Sequence, residues 1–170
     1  MALDTTTRAS QRELPAGTRV AAVVSTYHSE LTGAMLASAR RELVAAGLAE
    51  TDLLAVEVPG AFELPLVARR LARRDDVHAV LCFGLVLRGE TSHDRYVADA
   101  AARGVLEASL ATDKPILFGV LTCDTIEQAR SRALPPERGG VQDKGREVAR
   151  AAIEVLAALA AADEVGRNGR

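Results

Sequence analysis

The sequence predicts a three-layer α/β/α sandwich built on a four-stranded parallel sheet. Three observations carry that expectation. Short β-prone runs and helix-compatible segments alternate four times along the chain. The strand candidates are apolar throughout rather than alternating in polarity, as strands covered on both faces require. The 170 residues suit one domain with a substantial core, and the sequence contains no internal repeat.

Each element has its own local reason. Residues 1–17 are polar, carry Pro15 and Gly17 at their end, and read as a mobile N-terminal arm. Val20–Ser25 is a short β-prone run, the first strand. Ser29 is placed to cap a helix reaching about Ala46, with Leu31, Met35 and Leu43 on one face and Gly47 as its stop. Leu53–Val58 is the second strand, closed by Pro59 and Gly60. A helix is expected from about Phe62 to Arg74, with Pro65 tolerated because it lies in the first turn. Ala79–Leu87 is the third strand. It breaks at residues 88–93, Arg-Gly-Glu-Thr-Ser-His, and passes into a helix from about Asp94 to Leu110, with Thr91 and Asp94 as its capping signature. Residues 115–122 form the fourth strand. Thr125 and Gln128 make a capping box for a helix that stops before Pro135 and Pro136. Residues 137–143 are a polar, glycine-bearing loop. An alanine-rich helix from Lys144 to about Ala161 closes a single domain of residues 18–161, and residues 162–170 read as a flexible C-terminal tail.

Bulk properties exclude several classes of function. With 48% hydrophobic and 26% charged residues the chain is globular rather than disordered. A net charge of −2 gives no general attraction to nucleic acid or to anionic membranes. The local basic cluster of Arg69, Arg70, Arg73 and Arg74 has no aromatic interleaving and reads as a solvated face or a subunit contact. Cys82 and Cys123 lie in apolar runs and read as buried free thiols of a reducing compartment. No apolar stretch approaches a membrane span, and residues 1–17 lack the apolar core of a signal peptide, so a cytoplasmic protein is expected.

Chemistry concentrates where the strands end, which is where parallel sheets bind ligands. The loop after the third strand contains glycine and opens a helix, so free N–H groups and the positive end of the helix dipole meet there as an anion site. His93 stands at its rim, the side chain best suited to move protons near neutral pH. Of the five aromatic residues, Tyr27 and Phe62 fall in strand-end loops where a core does not need them. With Glu63 at the same end they suggest a site for a planar ring with polar substituents. Together these groups suggest an enzyme acting on phosphorylated small molecules.

Four segments add a resemblance: VPGAFELP at 58–65, GLVLRGETSH at 84–93, FGVLTCDTIEQARSRA at 118–133 and DKG at 143–145. In this order and spacing they resemble the 6,7-dimethyl-8-ribityllumazine synthase family of riboflavin biosynthesis, over residues 19–159. The resemblance implies a flavodoxin-like sheet. It also implies condensation of 5-amino-6-ribitylamino-uracil with 3,4-dihydroxy-2-butanone 4-phosphate, with no metal or organic cofactor. It assigns Tyr27 to stacking on the pyrimidine, Ala61, Phe62 and Glu63 to the ribityl chain, and Leu85, Val86 and Leu87 to reading the heterocycle. Glu90 and Thr91 match the phosphate loop, and His93 the proton-transfer residue. Phe118, Arg132 and Lys144 match groups that a neighbouring subunit contributes. Family members form pentamers, and some assemble twelve pentamers into a capsid. The junction LPPERGGVQD at 134–143 is longer than the short connection of capsid formers, so a free homopentamer is expected.

The chain departs from the family pattern at two places. Asp94 and Arg95 follow the histidine where an aromatic and an acid are usual, and Thr26-Tyr27-His28 replaces a common Arg-Phe-Asn. Two other readings share the pocket: an archaeal-type riboflavin synthase, and a flavin- or lumazine-binding paralogue without turnover.

Overall fold

The computed structural model describes residues 12–168, with side chains through Val165. Its strands are β1 (Val20–Ser25), β2 (Leu53–Val58), β3 (Ala79–Leu87) and β4 (Ile116–Cys123). Its helices are α1 (Ser29–Ala45), α2 (Leu64–Ala72), α3 (His93–Thr112), α4 (Ile126–Ala133) and α5 (Lys144–Asn168). All strand pairs are parallel, in the order β2-β1-β3-β4. The expected flavodoxin-like sandwich is therefore present.

Handedness decides which helix covers which face. The connection from β1 to β2 runs outward and that from β2 to β3 runs back across β1, so right-handed crossovers place α1 and α2 on opposite faces. One core accordingly joins Val20, Ala22, Val24, Leu81 and Phe83 to α1, α4 and α5. The other joins Ala21, Val23, Val80 and Cys82 to α2 and α3. The period of two along each central strand feeds both cores, which is why these strands carry no polar alternation. The order reverses between β1 and β3, and in open parallel sheets the crevice at such a switch point takes ligands.

Several local expectations are corrected. Ser29 does not cap α1; it is the first helical residue, and His28 precedes it in the left-handed region without a side-chain cap. The α1 stop is as expected: Gly47 has φ 96°, with Gly47 N–H bonded to Val44 O and Leu48 N–H to Leu43 O, a Schellman closure. The segment before α2 is a 3-10 turn, Ala61–Glu63, because the Glu63 carboxylate accepts the Gly60 N–H at 2.9 Å and tightens the entry. α3 starts at His93 and runs to Thr112, with Ser92 at its cap position making no side-chain bond. Thr91 Oγ1 accepts the His93 N–H at 3.4 Å instead. Thr125 caps α4 through the Gln128 N–H, but the Gln128 side chain accepts from Asp124 rather than closing the box on Thr125.

The ends and the long junction also differ. α5 continues to Asn168, past the expected end near Ala161, since no proline interrupts the segment and Ala161, Ala162 and Glu164 favour helix. Of the expected N-terminal arm, residues 1–11 lie outside the described residues, whereas Leu14 is buried and donates its N–H to Ala46 O at 2.7 Å. The junction before α5 is a compact turn: it contains a 3-10 turn, Pro136–Arg138, and the N–H groups of Val141 and Gln142 both return to Ser131 O.

At the opposite end of the sheet Arg19 bridges Asp52 and Asp76, and its N–H donates to His78 Nδ1 at 3.0 Å. Hydrogen bonds from Arg74 and then Arg19 hold the Asp76 carboxyl well below the usual carboxylate range. This cluster ties β1 to β3 at the end of the sheet opposite the carboxyl ends of the strands.

Candidate functional site

The site is assembled from three loops at the carboxyl ends of β1, β2 and β3. The first two are laced together. Thr26 N–H donates to Val58 O at 2.8 Å and Tyr27 N–H to Pro59 O at 3.1 Å. The Tyr27 ring lies against Gly60, where an added methyl would come within 3.0 Å of Cδ2 and 3.1 Å of Cε2. Glycine at 60 is therefore what lets the ring settle over the turn. Glu63 is held by the Gly60 N–H, Ala61 is buried beneath, and Phe62 projects outward. Tyr27 and Phe62 are 66% and 61% exposed, so neither is a core residue.

The third loop comes from β3. Gly84 admits Leu64 and Ala61 against the strand, and Leu85, Val86 and Leu87 form its increasingly exposed end. Residues 88–92 then turn into α3, whose first residue is His93. The His93 side chain is exposed and makes no hydrogen bond among the described residues.

These loops enclose a cavity of about 580 Å³. Eight of the residues expected from sequence line it: Tyr27 from the first loop, Ala61, Phe62 and Glu63 from the second, and Leu85, Val86, Leu87 and His93 from the third. Neither cysteine and no lysine lines it, and burial pushes the Cys82 thiol up to about 12. The titratable groups facing the cavity are Tyr27, His28, Glu63, His93, Asp94 and Tyr96. Such a set is suited to hydrogen bonding and proton transfer rather than to attack by a thiolate or an amine. Among the described residues no three His, Cys, Asp or Glu side chains are grouped to hold a metal ion.

Sequence reasoning missed part of this lining. Tyr96 and Val97 follow His93 by three and four residues, the spacing that puts side chains on one helix face, and that signal was available. His28 was not so legible, because only its left-handed backbone separates it from an ordinary helix start. The structure also explains where the two departures after the histidine go. Asp94 lines both this cavity and a smaller one beside β4, whereas Arg95 lines only the smaller one, with Arg88 and Asp124.

Five expected residues lie outside the cavity. Glu90 and Thr91 are exposed on the loop beyond Gly89, which does line it. Phe118 is 42% exposed on the edge strand β4. Arg132 lies on α4, bonded through Nη1 to Gln128 O at 3.0 Å, and close enough to Cys123 to offset part of the rise that burial gives that thiol. Lys144 opens α5 and pairs with Glu147. A single chain therefore does not bring Phe118, Arg132 and Lys144 to the cavity.

Comparison with known proteins bears on this arrangement. The family model for 6,7-dimethyl-8-ribityllumazine synthase matches residues 17–160. The chain is 45% identical over 145 residues to the 6,7-dimethyl-8-ribityllumazine synthase of Thermus thermophilus, covering 85% of this chain and 90% of that one. It is 48% identical over 143 residues to the enzyme of that name from Kineococcus radiotolerans, covering 84% of this chain and 86% of the relative. For that of Frankia casuarinae the identity is 46% over 144 residues, 85% of this chain and 87% of the relative. The match spans every strand and all three loops of the cavity, and by it the chain belongs to the 6,7-dimethyl-8-ribityllumazine synthase family.

Proposed function

We propose that this protein condenses 5-amino-6-ribitylamino-uracil with 3,4-dihydroxy-2-butanone 4-phosphate to give 6,7-dimethyl-8-ribityllumazine, phosphate and water, in the cytoplasmic synthesis of riboflavin. The observation that carries the reading is the cavity at the switch point, where aromatic rings, a carboxylate and an imidazole converge. The chemistry needs no more from the protein. An amine of the pyrimidine adds to the carbonyl and water leaves; phosphate is eliminated; the second amine closes the ring and water leaves again. Each step moves protons between substrate nitrogen, carbon and oxygen atoms, and an imidazole beside two held substrates supplies that transfer. In this reading Tyr27 stacks on the pyrimidine, Ala61, Phe62 and Glu63 hold the ribityl chain, and the backbone of Leu85, Val86 and Leu87 reads the heterocycle. Glu90 and Thr91 with the α3 N-terminus hold the phosphate, and His93 moves protons. Mixing the two substrates with the protein and following lumazine absorbance tests the reading; no product from the pair sinks it, and product from lumazine alone would indicate dismutation instead.

The remaining site residues belong, in this reading, to a neighbouring subunit. Phe118, Arg132 and Lys144 of one chain complete the cavity of the next, which is why they lie away from their own. An apolar strip on α2 and α3 supports such contact: Leu66, Leu106 and Leu110 are 71%, 60% and 74% exposed. Arg132→Ala should raise the Michaelis constant for the butanone phosphate by roughly 10- to 100-fold, the value of a charge-assisted bond pair, while sparing the pyrimidine. Mixed oligomers of Arg132→Ala and His93→Ala chains should regain activity, because some sites then receive both intact halves. Loss of pyrimidine affinity instead, or no regain on mixing, would contradict the shared site.

A free pentamer is the assembly proposed. The turn at 134–143 is compact and leaves Val141 80% exposed, so it stands out from the domain as a steric obstacle to packing of rings against one another. Light scattering should give a five-chain mass; a sixty-chain particle would refute the proposal.

A further inference from the structure

One strained residue in the cavity wall has no role so far. His28 has φ 59° and ψ 44°, and among the described residues only Asp113 shares a positive φ without being glycine. Side chains are disfavoured there because Cβ crowds the backbone. The backbone task at this position is plain: the His28 carbonyl accepts the N–H groups of Leu31 at 2.9 Å and Thr32 at 3.2 Å, starting α1. Glycine would do that without strain. The imidazole itself does not cap the helix and makes no hydrogen bond among the described residues. It is exposed and lines the cavity next to Tyr27. Strain kept for a side chain that the fold does not use points to a ligand.

We propose that His28 is a substrate-positioning residue that hydrogen-bonds the polar edge of the pyrimidine stacked on Tyr27. This rests on the function proposed above and adds a contact to it. A stacked ring is fixed in its plane but free to rotate within it; one bond from an adjacent imidazole, which can donate from one nitrogen and accept at the other, removes that freedom. The backbone holding His28 is rigid. Thr26 and Tyr27 are bonded to the loop after β2, and Thr32 Oγ1 donates to Ser25 O at 2.8 Å, closing the turn from both sides. His28 shares its loop with the ring-stacking Tyr27, whereas the anion-binding loop follows β3, so the pyrimidine rather than the phosphate ester is its target.

The test compares His28→Gly and His28→Asn in the intact oligomer. Both residues accept the left-handed backbone, and asparagine keeps a donor and an acceptor. Calorimetric titration with 5-amino-6-ribitylamino-uracil should show about 10-fold weaker binding to His28→Gly, the loss expected of one hydrogen bond. The thermal midpoint should be unchanged or higher, and His28→Asn should recover most of the affinity. The Michaelis constant for the butanone phosphate should stay within twofold in both. Wild-type affinity in His28→Gly, no recovery in His28→Asn, or a loss that falls on the phosphate substrate would overturn the proposal. A wild-type protein that neither binds the pyrimidine nor forms product would instead overturn the proposed function, so the two failures are distinguishable.

Discussion

His93→Ala should lower kcat by roughly 10²–10⁴-fold, the usual contribution of one general acid–base group, with Michaelis constants changed little. This corresponds to about 3–5 kcal/mol of transition-state stabilisation. The variant should fold as the wild type does, because nothing structural depends on the imidazole. His93 is exposed at the first position of α3, and the local bond is made by its backbone N–H to Thr91 Oγ1. The residual rate should come from holding two substrates together in one cavity, a contribution the substitution leaves in place. Single-turnover absorbance measurements at saturating substrate, beside a melting curve, separate the two effects. An unchanged kcat would remove His93 from the mechanism; a fallen melting point would show that the side chain supports the helix start after all.

Gly145→Ala should be strongly destabilising although it lies outside the cavity. The Asp143-Lys144-Gly145 segment starts α5 through three distinct contacts. Asp143 is buried, accepts the Ser38 hydroxyl at 2.5 Å and caps the helix through the Arg146 N–H at 3.0 Å. Gly145 presses its Cα against α1: an added methyl would lie 2.8 Å from Met35 Cα and closer still to the Met35 carbonyl oxygen. Both partners are backbone held in helices, so neither can move aside cheaply, and overpacking of this kind costs about 3 kcal/mol. For a chain of this length that is a fall of roughly 6–12 °C in Tm at fixed protein concentration. Gly33→Ala is the internal control, since a methyl there meets nothing within 4 Å. Alanine in the middle of α1 should stabilise by about 1 kcal/mol. An unchanged Tm in Gly145→Ala would mean that α5 can slide along α1, and Lys144 would then not be held in one place.

Local sequence determined the fold. β1 and β3 occur within the limits that their apolar runs set, because a strand buried on both faces cannot extend into polar residues without burying them; the edge strand β2 also keeps its expected limits, with Glu57 exposed. The alternation of strands with helices then left a parallel sheet with right-handed crossovers as the consistent solution. The cavity-lining residues Tyr27, Phe62, Glu63 and His93 were legible for a related reason: aromatic and titratable groups at strand ends have no core to serve.

Tertiary structure decided what depends on contacts between distant segments. His28 entered the cavity through a left-handed backbone angle that no spacing of residues encodes. Glu63 turned out to be tied to the Gly60 N–H, and Gly60 to be the seat of the Tyr27 ring. Asp143 and Gly145, adjacent in sequence to the lysine that drew notice, proved to be the contacts that place it, through Ser38 and Met35 more than a hundred positions away. Phe118, Arg132 and Lys144 stand outside their own chain's cavity because they rise from the far edge strand and the opposite helical layer. Local patterns select elements and their faces; a pairing across the fold is fixed only when packing brings both members to one place.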